Sequence, residues 1–325
     1  MAKKRYYCTY FDSGYLSRGL ALIKSLHQHC APFELWVLCM DAKAFDELSR
    51  LKLSNVQLIS REVFEKANPE VAVTQLSRTR IEYYFTCTPA LPFYLLQQHS
   101  TIDLITYLDA DLYFYASPEP IFDELGDHSV AITPHRFTPR LKIHEENGLH
   151  NVGWLTFRRD QAGLACLAWW RERCIEWCFD RVEDGKFADQ KYLDSFAHLF
   201  DGVVSLKHKG VNLALWNIGN YQISKSGDQV TVDEQPLIFY HFHGLKLLGW
   251  RFYHTGAAYF FAQLPRVAVE SIYRPYLKTA KLNQDQKLKG TKRQGAKPWL
   301  SALEDSIYYY YYIVKDTAKG NCLII

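Results

Sequence analysis

Short apolar runs alternate with amphipathic stretches through the first third of the chain. Residues 5–10 read as a strand and 11–15 as a turn. Leu16, Leu20, Ile23 and Leu26 then recur at helical spacing. Residues 34–39 predict a second strand, 42–51 a helix and 56–59 a third strand. Strands alternating with helices predict an α/β protein with parallel strands, whose ligands bind beyond the carboxyl ends of those strands. Asp12, Asp41 and Asp109 each follow an apolar run at such an end.

The pattern continues with more interruption. Residues 61–76 read as a mixed, charged connection. Residues 77–98, with Arg78 and Arg80, carry a helical pattern beside an apolar strand at 104–108. Further strands are expected at 130–133, 151–157, 203–206 and 237–242. A long aromatic-rich helix is expected at 162–178, with Trp169, Trp170 and Trp177 in the core, and a helix start at 188–193. The polar stretch 135–147 reads as a lid or acceptor-side loop, and 208–219 as a loop carrying Asn212, Trp216 and Asn217. Residues 284–297 read as a linker and 299–315 as a terminal amphipathic or surface helix. We therefore expect one body over 1–270 and a basic, Tyr-rich helical extension over 271–325.

Composition narrows the function. The formal net charge of +3 gives no reason to expect a nucleic-acid partner. Residues 271–325 hold ten Lys/Arg against four Asp/Glu, whereas the remainder holds 28 against 31. A basic tail on a near-neutral body suggests peripheral association with an anionic membrane. No secretory signal and no uncharged stretch of membrane-spanning length is visible, and the eight cysteines sit mostly in apolar segments. Those features predict reduced, buried thiols in a cytoplasmic protein, and the basic tail adds the expectation of a peripheral position on the inner face of the cell membrane.

The candidate chemistry centres on residues 102–124. The apolar run 104–108 ends in Asp109-Ala110-Asp111, and Pro-rich sequence follows. Two carboxylates one residue apart in extended chain project to one side and can share a hard cation, which in turn can neutralise a diphosphate. A single D-x-D triplet also arises as capping or loop chemistry. The second cluster is His241-Phe242-His243-Gly244-Leu245-Lys246. On a strand its two imidazoles share a face, Gly244 permits close backbone approach, and Lys246 offers a point charge for phosphate. Imidazole beside carboxylates favours Mn2+, with Mg2+ the alternative. Arg80 is a candidate for forked bonds to phosphate or sugar oxygens. Asp12 is a candidate base contact or a helix cap, and Asp189 and Gln190 are either caps or cleft residues.

Four segments in this order resemble glycosyltransferase family 8, the retaining GT-A group of glycogenin-like and bacterial lipopolysaccharide galactosyltransferase-like enzymes. Asp12-Ser13-Gly14-Tyr15 with Ala21-Leu22-Ile23-Lys24-Ser25-Leu26 resembles the opening turn and helix. Leu108-Asp109-Ala110-Asp111 resembles the metal motif, and Asn151-Val152-Gly153-Trp154-Leu155 the strand whose Asn faces the donor sugar. Asp189-Gln190 resembles the pair beside the anomeric carbon, and His241-Phe242-His243-Gly244 the family's His-x-x-Gly. The resemblance implies a GT-A fold, one Rossmann-like mixed sheet flanked by helices. It implies Asp109, Asp111 and His241 as metal ligands, with His243 the intervening residue. Asp12 and Tyr15 would contact the base, and Asp189, Gln190 and Asn151 would position the sugar. Ser13 and Gly14 stand where the family has polar residues, and Lys246 comes one residue early, which marks a divergent member or sister family.

The expected activity is metal-dependent transfer of a sugar from a nucleotide-diphosphate donor, a UDP-sugar by the resemblance. The acceptor would be a glycan or lipid-linked saccharide, with retention, in surface polysaccharide or lipopolysaccharide synthesis. The alternatives are a nucleotide-sugar or glycan-binding protein without turnover, and a sugar nucleotidyltransferase. The latter wants a Gly-rich basic loop after the first strand, where residues 11–19 supply only Gly14, Arg18 and Gly19.

Overall fold

Arg5–Phe11 (β1), Phe33–Cys39 (β2) and Val56–Ser60 (β3) lie side by side in parallel, and Leu104–Leu108 (β4) joins the free side of β1, again parallel. The protein is described here from a computed structural model that covers residues 3–30, 32–249, 252–280 and 322–324. Leu112–Phe114 (β5) follows β4 after a tight turn. Val130–Pro134 (β6), His150–Arg158 (β7) and Val203–Ser205 (β8) complete a seven-stranded mixed sheet of order β3-β2-β1-β4-β7-β6-β8. β7 is antiparallel to both β4 and β6. From β1 the chain steps outward to β2 and β3, then returns on the opposite side as β4. The carboxyl ends of β1 and β4 therefore open a crevice at the point where the strand order reverses.

Helices cover both faces. Leu16–His29 (α1) and Ala42–Leu51 (α2) pack on one, where Tyr7, Leu22, Leu26, Val37, Leu108 and Trp154 form a continuous apolar layer. On the other, Tyr83, Leu91, Leu95, Ile105, Leu155, Phe157 and Trp170 form the second layer. Short runs buried on both sides, such as Leu104–Leu108, show no alternation because each side chain meets a helix layer.

Residues 61–76, expected as a connection, are instead helical: Arg61–Ala67 (α3), Pro69–Ala72 (α4) and a 3-10 turn at Val73–Leu76. The Ser60 side chain caps α3 by accepting from the Val63 N–H at 3.3 Å. The buried anchors are few, chiefly Phe64 and Val71, so the apolar period is too short to register. Arg80–Gln98 (α5) runs unbroken through Pro89 and Pro92. Its start is fixed by a reciprocal pair, Thr79 on the Glu82 N–H and Glu82 on the Thr79 N–H. Glu119–Leu125 (α6) follows β5. Gln161–Glu176 (α7) stops short of the expected residue 178, leaving Trp177 extended and Cys178 outside the helix. The expected helix at 188–193 is a 3-10 turn at Lys191–Ser195. Ala188 before it takes a left-handed backbone, φ 46°, which a helix cannot continue from.

After β8 a small meander forms from Ile223–Ser226 (β9), Gln229–Val232 (β10) and Gln235–Pro236 (β11), which the sequence pattern did not indicate. The expected strand 237–242 shortens to Phe239–His241 (β12), paired antiparallel with β5. Helical residues 266–280 cross the expected domain boundary at 270. Tyr273, Tyr276 and Leu277 are buried, and the Tyr276 ring stacks on Phe242 at 3.7 Å. The expected linker at 284–297 and helix at 299–315 lie outside the described residues. Cys322–Ile324 pairs with the strand Phe252–His254. Among the described residues no helix is long and apolar enough to cross a membrane, and the seven described cysteines with placed side chains are free and buried.

Candidate active site

The Asp109-Ala110-Asp111 triplet occupies the turn between β4 and β5 rather than extended chain. The Leu112 N–H donates to the Asp109 carbonyl at 3.3 Å, and the Asp109 N–H to the Gly153 carbonyl at 3.0 Å. The turn is thus tied to β7. Because β12 pairs with β5, His241 lies opposite Leu112, immediately beside the triplet. Its Nε2 is 3.1 Å from Asp111 Oδ1 and 3.6 Å from Asp109 Oδ2. The expected shared strand face of His241 and His243 does not form, because β12 ends at His241. His243 sits in the following turn, exposed where His241 is buried. Even so, one ligand atom each of Asp111, His241 and His243 lies within 4.8 Å of the other two.

The back of His241 decides which nitrogen faces the carboxylates. Nδ1 lies 3.1 Å from Asn151 Oδ1 and 3.3 Å from Asn212 Oδ1. The Asn151 atom also accepts the Gly153 N–H at 3.0 Å, which identifies it as the amide oxygen. Nδ1 therefore carries the proton, and Nε2 presents a lone pair to two carboxylates. That arrangement is repulsive unless a cation lies between them. A proton on Nε2 meets the need in part, and a divalent cation meets it fully. Asp111, His241 and His243, with the Asp109 carboxylate alongside, could hold a divalent metal ion, and the amide oxygens behind His241 fix the tautomer that such a ligand needs.

The charges register this confrontation. Burial, together with Asp111, outweighs His241 and Tyr107 and pushes the Asp109 carboxyl up to about 6. Burial would raise Asp111 too, but His241 holds it below the usual carboxylate range. Burial would lower His241, and Asp111 and Asp109 raise it instead. The Tyr107 hydroxyl donates to Asp109 Oδ1 at 2.8 Å and fixes that carboxylate.

Around this centre the other candidates divide. Asp189 is buried in the same neighbourhood, with a hydrogen bond from Thr88, whose hydroxyl meets Tyr10 at 3.1 Å. Burial, reinforced by Asp109, pushes its carboxyl up to about 7. Gln190 Nε2 donates to the Asn147 carbonyl at 3.1 Å, and its Oε1 lies 3.4 Å from Asn151 Nδ2. Asn151 is thus engaged by His241, Gly153 and Gln190 together. Asp12 follows β1. Its Oδ1 accepts the Gly14 N–H at 2.9 Å and its Oδ2 the Tyr84 hydroxyl at 3.1 Å, with Arg80 at 3.8 Å. Arg80 itself projects into solvent at the start of α5, and Tyr15 is 43% exposed. Gly244 adopts φ 74° in the turn that leads to the exposed Lys246.

Four contributors escaped the sequence reading as site residues. Asn212, Tyr84 and Tyr107 act through single hydrogen bonds that no motif marks. Arg18 donates to the Leu245 carbonyl at 2.6 Å and lies 4.3 Å from the Tyr15 ring, close enough to Asp111 to lower its carboxyl. The sequence offered it only as the basic residue of the stretch 11–19, in the first turn of α1.

The crevice at the β1/β4 reversal, with an acidic turn facing a histidine strand, is built on the GT-A fold. The galactosyltransferase LgtC, solved with donor and acceptor sugar analogs, superposes with a TM-score of 0.53 at 15% identity, covering 91% of this chain and 99% of that one. No protein-family model matches the chain. In sequence the chain is 36% identical over 250 residues to YfnF of Bacillus subtilis (strain 168), covering 74% of this chain and 82% of YfnF. It is 30% identical over 275 residues to YfnD of the same organism, covering 84% and 87%. The chain belongs to the family of these two proteins, both uncharacterized.

Proposed function

We propose that the protein is a metal-dependent glycosyltransferase that moves a sugar from a nucleotide-diphosphate donor to a glycan or lipid-linked acceptor. The observation that carries the reading is His241. Two amide oxygens hold its Nδ1 proton, so that Nε2 meets Asp109 and Asp111 in a buried crevice at the sheet's reversal point. Asp109, Asp111 and His241, with His243 beside them, would hold Mn2+ or Mg2+, which when bound supplies Lewis-acid stabilisation of the charge that develops on the departing diphosphate.

The chain's own groups do the rest. Lys246 adds a point charge at the crevice mouth, and Arg80 lies at the Asp12 end for donor oxygens. Asp12, held by Gly14 and Tyr84, offers its carboxylate edge to a nucleobase, uracil by the family resemblance, and Tyr15 offers an exposed ring for stacking. Asp189, Gln190 and Asn151 line the crevice near the carboxylates and orient the sugar. A low-dielectric wall of Tyr107 and Trp216, with the half-buried Tyr10, strengthens every charge interaction inside. Retention follows from the resemblance and is tested by the anomeric configuration of the product. Within surface polysaccharide or lipopolysaccharide synthesis, the basic residues of 271–325 would hold the protein at an anionic membrane face. Reversing their charge should then release it from anionic vesicles.

The decisive assay is a panel of nucleotide-diphosphate sugars, with Mn2+ and with chelator, read by liberated nucleoside diphosphate. Release that requires the cation and is lost in Asp111→Asn supports the reading. Full metal-dependent release in Asp111→Asn rejects the metal assignment. Donor affinity without release, with any acceptor, points to a binding protein.

A further inference from the structure

Beyond the His241 centre lies a line of rings that the donor chemistry leaves unused. From His241 a line of rings runs outward: Trp216 at 5.2 Å from the His241 ring, Phe260 at 6.1 Å from Trp216, and Tyr259 at 4.9 Å from Phe260. His144, from the 3-10 segment Pro139–Asn147, flanks Tyr259 at 6.1 Å. Beside it the Arg140 guanidinium covers the Phe261 ring at 3.6 Å from its centroid.

The line grows more exposed with distance from the carboxylates. Trp216 is buried, Phe260 is half-buried, and Tyr259 and Phe261 are 67% and 55% exposed among the described residues. Phe261 also takes a left-handed backbone, φ 49°, which is strained for a bulky residue. Strain at a phenyl ring that is 55% exposed and covered by the Arg140 guanidinium is not offset by core packing, and exposed aromatic surface linked ring by ring to the His241 centre marks a binding surface.

We infer that Tyr259 and Phe261, with Arg140 and His144, form an acceptor subsite for a saccharide of more than one ring. The inference rests on the glycosyltransferase reading and deepens it. A hexose presents an apolar C–H face and a rim of hydroxyls. Flat aromatic rings meet the face, and guanidinium and imidazole donors beside them meet the rim. An acyl chain has no rim for Arg140 and His144 to bond, so the interleaved polar groups favour sugar over lipid tail. The three ring-to-ring steps from His241 give a span that a short oligosaccharide covers. Its terminal hydroxyl would reach the crevice while its inner rings lie on Tyr259 and Phe261.

The test uses the full-length protein with Mn2+ on a broad glycan array, with Tyr259→Ala, Phe261→Ala and the double variant beside wild type. Tyr259→Phe serves as ring-preserving control, and thermal midpoints check the fold. Wild type should capture a subset of oligosaccharides. Each single variant should weaken capture several-fold and the double variant about tenfold or more, as for removal of anchoring aromatics, while Tyr259→Phe retains it. Nucleoside diphosphate release into water without acceptor should be unchanged in all of them. Capture of nothing by wild type, undiminished capture by the double variant, or ring-dependent binding to anionic phospholipid vesicles in place of glycans would each overturn the subsite. Loss of donor turnover in wild type would instead remove the enzymatic reading, since the array scores saccharide capture independently.

Discussion

His241 Nε2 and Asp111 Oδ1 stand 3.1 Å apart although 130 positions separate them in the chain. Both are buried, so each governs the other's charge. Replacing His241 with Ala leaves Asp111 as a buried carboxylate without its partner. In chelator this should destabilise the protein by about 3–5 kcal/mol, the usual cost of orphaning a buried charge. Urea unfolding checks it. In Mn2+ the variant should show metal affinity reduced by well over tenfold, read by calorimetry. Unchanged affinity would place the cation elsewhere.

Gly153 faces the same imidazole from β7. A Cβ there would lie 2.7 Å from Asn151 Oδ1 and 2.9 Å from His241 Nδ1. Gly153→Ala should therefore push both side chains away from their mutual hydrogen bond. The expected outcome is a stability loss of about 1–3 kcal/mol from overpacking, with a roughly 10–100-fold drop in metal affinity through the disturbed support of the ligand. Paired thermal melts and metal titrations separate the two effects.

Asp189 links the crevice to pH. Burial raises its carboxyl from the ordinary 3.8 to about 7. A raised folded-state value means that the native form binds a proton the unfolded chain has released. The stability from this group is full below about pH 4 and is lost as the pH climbs to about 7. The loss is on the order of 4 kcal/mol at 1.36 kcal/mol per unit. Asp189→Asn carries no titrating proton, so its stability, measured by urea unfolding in chelator at pH 5 and pH 8, should fall less across that interval than wild type. Parallel pH profiles would show that Asp189 is not the group responsible.

Arg18 joins α1 to the turn before Lys246 through its bond to the Leu245 carbonyl. Arg18→Ala should free that turn and remove a positive charge near Asp111. Under the proposed function we expect a several-fold rise in donor KM with a smaller change in kcat, because the lost contact holds the turn beside Asp111 and not a reacting carbon. Steady-state kinetics with saturating acceptor decide between this and a loss confined to kcat.

The local pattern was enough to place β1, α1, β2, α2, β3 and β4. Each is a short apolar run or a helical stripe whose burial depends on its own period. It also brought forward Asp109, Asp111 and His241 as candidates, since acidic and imidazole residues after apolar strands are visible one segment at a time. Helices α3 and α4 were missed because two anchors do not make a period. The strand expected at 237–242 was drawn too long, and with it went the shared face of His241 and His243, because pairing with β5 sets where β12 ends.

What the amino-acid order determined was the identity of the charged groups and the alternation of strand with helix. The tertiary structure alone decided that Asn151 and Asn212 both stand behind His241, that Asp189 is buried enough to hold its proton near neutrality, and that Tyr259 and Phe261 face water beside the crevice. The physical reason is range. Periodicity reports the burial of a single element, whereas the tautomer of an imidazole and the protonation of a carboxylate depend on atoms that reach them only after β4, β7 and β12 have met.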